Sequence, residues 1–399
     1  MTCSQRRLIA GTRPLANIKV LDFSFMMAGP YCTRILADLG ATVIKVETPT
    51  GDYVRSRPPL RDGWSSYYGH LNVGKQSIIL DLKKTQAVEI AKRLAAACDI
   101  VVENFRPGVM KRLGIDFDVL SAINPELIYC AISGFGQSGP AANRPAYAPI
   151  VHAASGYDMA NLSYQDDTQR PTKTAIFIAD IMAGIQATVA IEAALLARER
   201  TRSGQFIDVT LVESMFNLQV YEFQEAQCPT DARRPLYQPL RTSDGYVIVA
   251  PVTQNNFVQM AACIGHPEWC VDPRFTTATS RGRNWDLLMS LVETWTRQRS
   301  GNECEHLLTA AGVPCSRYLT IGEAMQDPHY DHRGSFAMIE DPAGSYKIPK
   351  LPFQMSAVDI APRSYVADHG ADTEMVLKSL LDLSDDEIAA LTDSGVFGS

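Results

Sequence analysis

Along the first half of the chain, short apolar runs alternate with stretches in which apolar residues recur every three or four positions. The run IKVLDF (18–23) ends in a turn, AGPYCTRILADLG (28–40) has helical spacing closed by Gly40, and TVIKVE (42–47) is a second apolar run. Together they predict a βαβ unit. The pattern continues with SIILDL (77–82), a helix from Thr85 through QAVEIAKRLAAAC, DIVVENF (99–105), a short helix around GVMKRLG, and LIYCAISGF (127–135). Such alternation predicts an α/β fold with a largely parallel sheet covered by helices on both faces, and the scarcity of polar positions in the strands agrees. IFIADIMAGIQATVAIEAALLARER (176–200) predicts a long apolar helix. From about residue 215 the texture changes. One strand, GYVIVAPV (245–252), is followed by three helical patterns, which predicts a smaller α+β domain over 226–325 after a first domain over 1–225. The tail reads as Pro-punctuated loops and a last helix, opened by SDDE with Ser384 and Glu387 in capping-box spacing.

Composition narrows the partners. The chain has 399 residues, 46% hydrophobic, enough to bury a large core. A formal net charge of -7 argues against nucleic acid, whose binding rests on surplus Lys and Arg. The long apolar helix is the one membrane candidate, but Asp180, Gln186 and Glu192 interrupt it. An acidic group at mid-bilayer costs about 3 kcal/mol, so a buried helix is expected and no membrane partner. The N-terminal twin arginine, Arg6 and Arg7, has no long apolar stretch behind it, which argues against export. Nine cysteines, odd in number and scattered through apolar runs, predict reduced core residues of a cytoplasmic protein. No cysteine pair has zinc-knuckle spacing, and His329 and His332 of HYDH read as a solvated turn, so no metal is expected.

Several segments carry candidate chemistry. GFGQSG places Gly134, Gly136 and Gly139 in dinucleotide-binding spacing after a strand. A nucleotide fingerprint needs a helix at the third glycine, whereas Pro140 and AANRP follow, so an extended loop is expected. GDYVRSRPPLRDG (51–63) carries Arg55, Arg57 and Arg61, whose forks suit phosphates and carboxylates, or else a solvated loop. Lys83, before the helix at Thr85, and Arg112, closing the helix after ENFRPG, are candidate anion seats. Asp180 is the sharpest signal. It reads as an N-cap, yet Ile178, Ala179, Ile181 and Met182 surround it, which would leave its carboxylate poorly hydrated. A helix terminus stabilises an anion by about 0.3–2 kcal/mol, comparable to one pKa unit at about 1.4 kcal/mol. The group can then stay ionised while dry, the state wanted in a carboxylate nucleophile.

LDFSFMMAGPYCTRILADLGATVIKVE, ENFRPGVMKRLG, SGFGQSGP, ADIMAG and ARERTRSGQFIDVTLVES together resemble the class III CoA-transferases, the CaiB/BaiF family, which also includes 2-methylacyl-CoA racemases. The resemblance spans roughly 14 to 380. It implies a doubly wound, Rossmann-like large domain made from both chain ends, with 326–399 returning to it, a smaller inserted domain, and two interlocked subunits. It implies an aspartyl nucleophile at Asp180, which attacks a donor thioester to give an acyl-aspartyl anhydride and CoA thiolate. The thiolate returns to the aspartyl carbonyl, an enzyme-bound CoA thioester forms, and an incoming carboxylate reverses both steps. Helix N–H groups after Asp180, starting near Gly184, would hold the developing oxyanion. The family's CoA contacts map onto Met27, Ala28, Leu80, Lys83, Asn104, Phe105, Arg106 and Arg112, with CoA or acyl-CoA as substrate and no tightly bound cofactor.

Some positions depart from the family pattern. Thr48 and Pro145 stand where formyl-CoA transferases carry basic residues, so Arg55, Arg57 or Arg144 would rebuild nucleotide contacts. PLYQPLRTSDGY replaces that branch's glycine-rich loop. The racemase branch needs a histidine, which falls at Tyr147, here counted with the CoA site. An ordinary tyrosine, with a pKa near 10, is a poor base at neutral pH. Transfer is thus favoured over racemisation, with His152 able to serve only if its loop folds differently. Asp180 and the ENF segment argue against a silent CoA-binding protein. The arginine loop and Gln137 could receive a second carboxylate, which favours a dicarboxylyl donor such as succinyl-CoA.

Overall fold

Six strands form one parallel sheet: β1 (Lys19–Asp22), β2 (Thr42–Glu47), β3 (Gln76–Ile79), β4 (Ile100–Glu103), β5 (Ile128–Ser133) and β6 (Gln205–Thr210). The structure, a computed structural model, describes residues 13–165, 169–171, 173–229 and 236–398. The sheet order is β3-β2-β1-β4-β5-β6. Strand order therefore reverses between β1 and β4, and in open parallel sheets of this topology the crevice at the carboxyl ends of those two strands is the ligand seat.

Side chains alternate across the sheet as the strand period requires. Ile100 and Val102 join Val20, Val43, Ile128, Cys130 and Ile132 on one face, while Val101 joins Leu21, Ile44, Ile78, Tyr129 and Ala131 on the other. The helices in chain order are α1 (Ala28–Asp38), α2 (Ser66–Asn72), α3 (Thr85–Ala96), α4 (Val109–Leu113), α5 (Phe117–Ile123), α6 (Ala148–Ala154), α7 (Tyr157–Leu162), α8 (Ile178–Thr201) and α9 (Leu211–Leu218). α1, α6 and α8 cover the first face through Leu36, Val151, Ala183, Ala187 and Ile191. α3 covers the second with Ile90 and Leu94, joined by Val376, Leu377 and Ile388 from the C-terminal helices Thr373–Leu381 and Asp385–Asp393. Ser384 and Glu387 form the capping box that their spacing predicts.

The chain divides into two compact units, Met1–Phe223 with His332–Ser399, and Gln224–Asp331. The second contains β7 (Leu240–Arg241), β8 (Tyr246–Val249) and β9 (Cys315–Arg317) as an antiparallel sheet. Its core is built from Phe257, Met260, Trp285, Leu288 and Val292 on the helices after β8.

Several local expectations are corrected. Gln205–Thr210 is a sixth strand, His152 lies on the helix α6 instead of in a loop, and the tail holds a hairpin, β10 (Phe336–Asp341) and β11 (Gly344–Pro349). His329 and His332 lie on a short helix, Pro328–Arg333, instead of a turn. α8 is only half covered: Ala179, Ala183, Ala187 and Ile191 are buried, whereas Val189 is 56% and Leu196 66% exposed. By length and hydropathy it is the one described helix able to cross a membrane. Cys32, Cys98, Cys130 and Cys304 are buried thiols, Cys263, Cys270 and Cys315 are partly covered, and Cys228 is exposed. Cys3, Arg6 and Arg7 lie outside the described residues.

Candidate active site

The loop leaving β1 is held from beneath by buried charge. Asp22 accepts from the Thr33 hydroxyl at 2.6 Å and the Lys75 ammonium at 3.2 Å, and Lys75 also donates to the Pro30 carbonyl at 3.0 Å and Asn72 at 2.9 Å. Burial draws Lys75 down to about 8 against the pull of Asp22. Burial alone would raise Asp22, but Lys75, Lys45, Ser24 and Thr33 hold it below the ordinary carboxylate value. Lys45 pairs with Asp52 at 2.9 Å and donates to the Ser24 carbonyl at 2.7 Å. Breaking one partner of so dry a pair strands the other, at a cost of about 3–5 kcal/mol. The loop Ser24–Met27 is thereby fixed.

Across the strand-order reversal, Asn104 grips the same loop. Its amide accepts the Phe25 N–H at 3.0 Å and donates to the Phe25 carbonyl at 2.8 Å, and the Phe25 and Phe105 rings meet at 5.5 Å between centroids. Glu103 orients the turn by accepting the Phe105 N–H at 2.7 Å. Met26 sits at φ 65°, the left-handed region that bulky residues avoid. Met27 then caps α1, and Ala28 and Gly29 open it. Gly29 is required there: a Cβ would stand 2.2 Å from the Ser24 Cβ.

Asp180 meets this turn. It is the third residue of α8, after the N-cap Phe177, so it is not the N-cap its sequence context suggests. Its half-buried carboxylate is faced by the Ala28 N–H and its own N–H, so two helix N-termini converge on one anion. Burial pushes Asp180 up to about 6, and those two N–H groups limit the rise, leaving it ionised at neutral pH. Gly184 brings the helices together: a Cβ there would lie 2.8 Å from the Ala28 carbonyl oxygen and 3.1 Å from the Tyr31 ring. As the seventh residue of α8, its N–H belongs to the helix ladder and is not free for the expected oxyanion role; the free N–H groups nearby lie at the start of α1. There Pro30 has no N–H, and the Gly29 N–H finds no acceptor among the described residues.

Two further groups stand at Asp180. Burial and the Asp180 charge push the Tyr67 hydroxyl, on α2, up to about 12, so it remains a neutral donor. His152, on α6, accepts the Ala179 N–H on Nε2 at 3.1 Å. Tyr67 does not stand out in the sequence, and His152 enters the sequence reading only as a substitute racemase base. The available signals were a tyrosine pair in SYYGHLN and one histidine on the apolar face of APIVHAA.

The other sequence-predicted residues divide. Leu80 (buried) and Lys83 (exposed) follow β3, and Asn104, Phe105 and Arg106 follow β4, so they share the carboxyl edge of the sheet with Met27 and Ala28. Lys83 lies in a turn past the strand, its N–H bonded to Asp81. Arg112 lies in the last turn of α4, and a Cβ on Gly108, at that helix's start, would be 3.5 Å from its guanidinium. Tyr147 is the N-cap of α6 and 63% exposed. Two loop arginines are committed elsewhere. Arg55 binds Glu47 at 2.6 Å, helping to hold that buried carboxyl at about 2, and stacks on Tyr68. Arg61 pairs with Asp341 at 2.7 Å and stacks on Tyr346. Arg57 stays exposed, stacked on Tyr53, as does Arg144 over Phe135. After GFGQSG no helix starts until Ala148, which removes the nucleotide-fingerprint geometry.

The carboxylate stands at the parallel sheet's carboxyl edge, dry on one side and faced by backbone N–H groups, where open α/β sheets seat their ligands. The sequence pattern of CoA-transferase family III matches residues 15–373. The chain belongs to this family and is a transferase. It is 32% identical over 396 residues to succinyl-CoA–D-citramalate CoA-transferase of Chloroflexus aurantiacus, covering 95% of this chain and 97% of the relative. It is 30% identical over 397 residues to human succinyl-CoA:glutarate CoA-transferase, covering 96% and 90%. The crystal structure of a CaiB/BaiF family protein from Brucella suis superimposes with a TM-score of 0.80 at 32% identity, covering 93% of this chain and 100% of that one.

Proposed function

We propose that the protein moves CoA from a dicarboxylyl-CoA thioester, succinyl-CoA being the favoured donor, to a second free carboxylic acid. The observation that carries this is the Asp180 carboxylate: ionised at neutral pH, half-buried, and held by the Ala28 N–H at the strand-order reversal. An Asp180 oxygen attacks the thioester carbon, the C–S bond breaks, and CoA leaves as thiolate. The thiolate attacks the aspartyl carbonyl of the resulting anhydride and expels the donor acid as carboxylate, giving an aspartyl–CoA thioester. The acceptor carboxylate repeats both steps in reverse, so no proton is gained or lost overall. The N–H groups of Ala28 and Gly29 are the donors that suit the developing oxyanion. Relatives named for succinyl-CoA and a dicarboxylate support the substrate class. The exposed Arg57 and the amide nitrogen of Gln137, buried without a partner among the described residues, are the groups proposed to take the distal carboxylate.

Racemisation fares worse. Tyr147 stands in place of the base, and His152 already uses Nε2 to accept a backbone N–H. The exposed apolar face of α8, with Ile185, Val189 and Leu196, supports a homodimer with a second copy packed on it, interlocked as in the family. We place the enzyme in the cytoplasm, in keeping with its free thiols. Incubation with succinyl-CoA and glutarate, citramalate or other carboxylates, read by mass spectrometry, tests the transfer. Hydroxylamine trapping during turnover should modify residue 180, and product formation with that residue untouched would refute the nucleophile.

A further inference from the structure

We infer that His152 is a positioning residue for Asp180: its imidazole caps the first turn of α8 from another helix and so fixes where the nucleophilic carboxylate stands. The inference rests on the reading of Asp180 as the nucleophile.

The first N–H groups of a helix have no partner within it and must find one elsewhere. At α8 each can be traced. The Ile178 N–H bonds the Ile176 carbonyl at 3.0 Å, and the Ile181 N–H closes the first turn on the Phe177 carbonyl at 3.3 Å. The Asp180 N–H faces its own carboxylate. The Ala179 N–H goes to His152 Nε2 at 3.1 Å. The N-cap, Phe177, has no side-chain oxygen to offer, so the imidazole does the work that Ser, Thr or Asp does at most helix starts.

His152 is 0% exposed, its ring lying against Tyr157 with centroids 5.4 Å apart, and Ala179 is equally buried. No water reaches the bond to replace it. A nitrogen that accepts an N–H carries no proton, so the imidazole is neutral with its proton on Nδ1. Burial holds the ring's pKa below its ordinary value, which keeps it in that form. Nδ1 is buried with no partner among the described residues. A hydrocarbon of the same size would fill the space and spare the unpartnered Nδ1, so packing alone does not account for a histidine. What the histidine adds is the Nε2 acceptor. Without it the Ala179 N–H is buried and unsatisfied, one residue from Asp180, and the first turn relaxes by fraying. That motion carries Asp180 away from the Ala28 N–H.

The test uses the full chain with His152→Phe, which fills the volume but accepts nothing, and His152→Gln, whose amide oxygen can accept. In succinyl-CoA-dependent exchange, His152→Phe should lower kcat about 30- to 100-fold, the scale of an ångström misplacement, with donor KM within about twofold. Single-turnover accumulation of the aspartyl–CoA thioester should slow in step, and His152→Gln should recover most of the rate. Full activity in the Phe variant, or a Phe variant more active than the Gln variant, would show a packing role and overturn the assignment. Asp180→Asn is assayed alongside. Turnover by that variant would sink the nucleophile itself, whereas a dead Asp180→Asn beside a wild-type-like His152→Phe would sink only the role of His152. Should His152→Phe fail to fold, 15N-histidine NMR of the unmodified protein decides. A buried neutral ring protonated at Nδ1 supports the proposal, and a proton on Nε2 overturns it.

Discussion

Asp180 joins two demands that oppose each other, dryness and charge. Burial moves its pKa from 3.8 to about 6, and the N–H groups of Ala28 and Asp180 stop it there. The proposed exchange needs the carboxylate form, so kcat should stay level above pH 6 and fall tenfold per unit below it, as a pH–rate profile in a non-nucleophilic buffer will show. The same shift acts on stability. An acid whose folded pKa is raised destabilises the fold when ionised: the penalty is complete above about 6 and absent below 3.8. Asp180→Asn should therefore lower exchange by about 10³-fold or more while CoA still binds. It should also raise unfolding stability by about 1–3 kcal/mol at pH 8, and urea titrations should show the gain shrinking toward pH 4. Only part of this is legible in the sequence. A carboxylate among apolar neighbours at a helix start is visible as a pattern, but the Ala28 N–H that keeps it charged comes from a helix about 150 residues earlier in the chain.

At the scale of elements, the contact between α1 and α8 carries the site. Gly184 lets the two backbones touch, with the Ala28 oxygen 2.8 Å from where a Cβ would stand. Gly184→Ala should force the helices apart, costing about 1–3 kcal/mol of stability and lowering kcat, because the Ala28 N–H retreats from Asp180. A thermal melt and an exchange assay on one preparation check both. Asn104 ties the loops after β1 and β4 by two bonds to Phe25. Asn104→Ala removes both, and each bond contributes about 0.5–1.5 kcal/mol. The expected outcome is an increase in the KM for acyl-CoA with a smaller change in kcat. The alternation of apolar runs predicts the parallel sheet, since buried strands must be apolar on both faces. It misses α6 and α7, because GFGQSGP and ANRPAYAP look like unbroken loop and their helices owe their burial to α8 and α9.

For the whole molecule, α8 poses the main question, since half of it is buried and half is bare. Leu196 at 66% and Val189 at 56% exposure form an apolar stripe that a single chain leaves wet. Leu196→Asp combined with Val189→Asp should convert the proposed dimer to monomer in light scattering after gel filtration and lower the melting temperature. A double variant that stays dimeric would move the interface elsewhere. By itself the sequence determines the α/β class, the apolar runs that become five of the six parallel strands, and the presence of a carboxylate where chemistry is expected. Those properties are local, set by side-chain period and by glycine and proline punctuation. Only the tertiary structure decides which charges serve the site. Arg55 and Arg61, both plausible ligand arginines by spacing, are consumed by Glu47 and Asp341, while the unremarkable His152 and Tyr67 stand at Asp180. The physical reason is that an ion pair or a hydrogen bond depends on a few ångströms between atoms far apart in the chain, a distance that residue order does not encode locally.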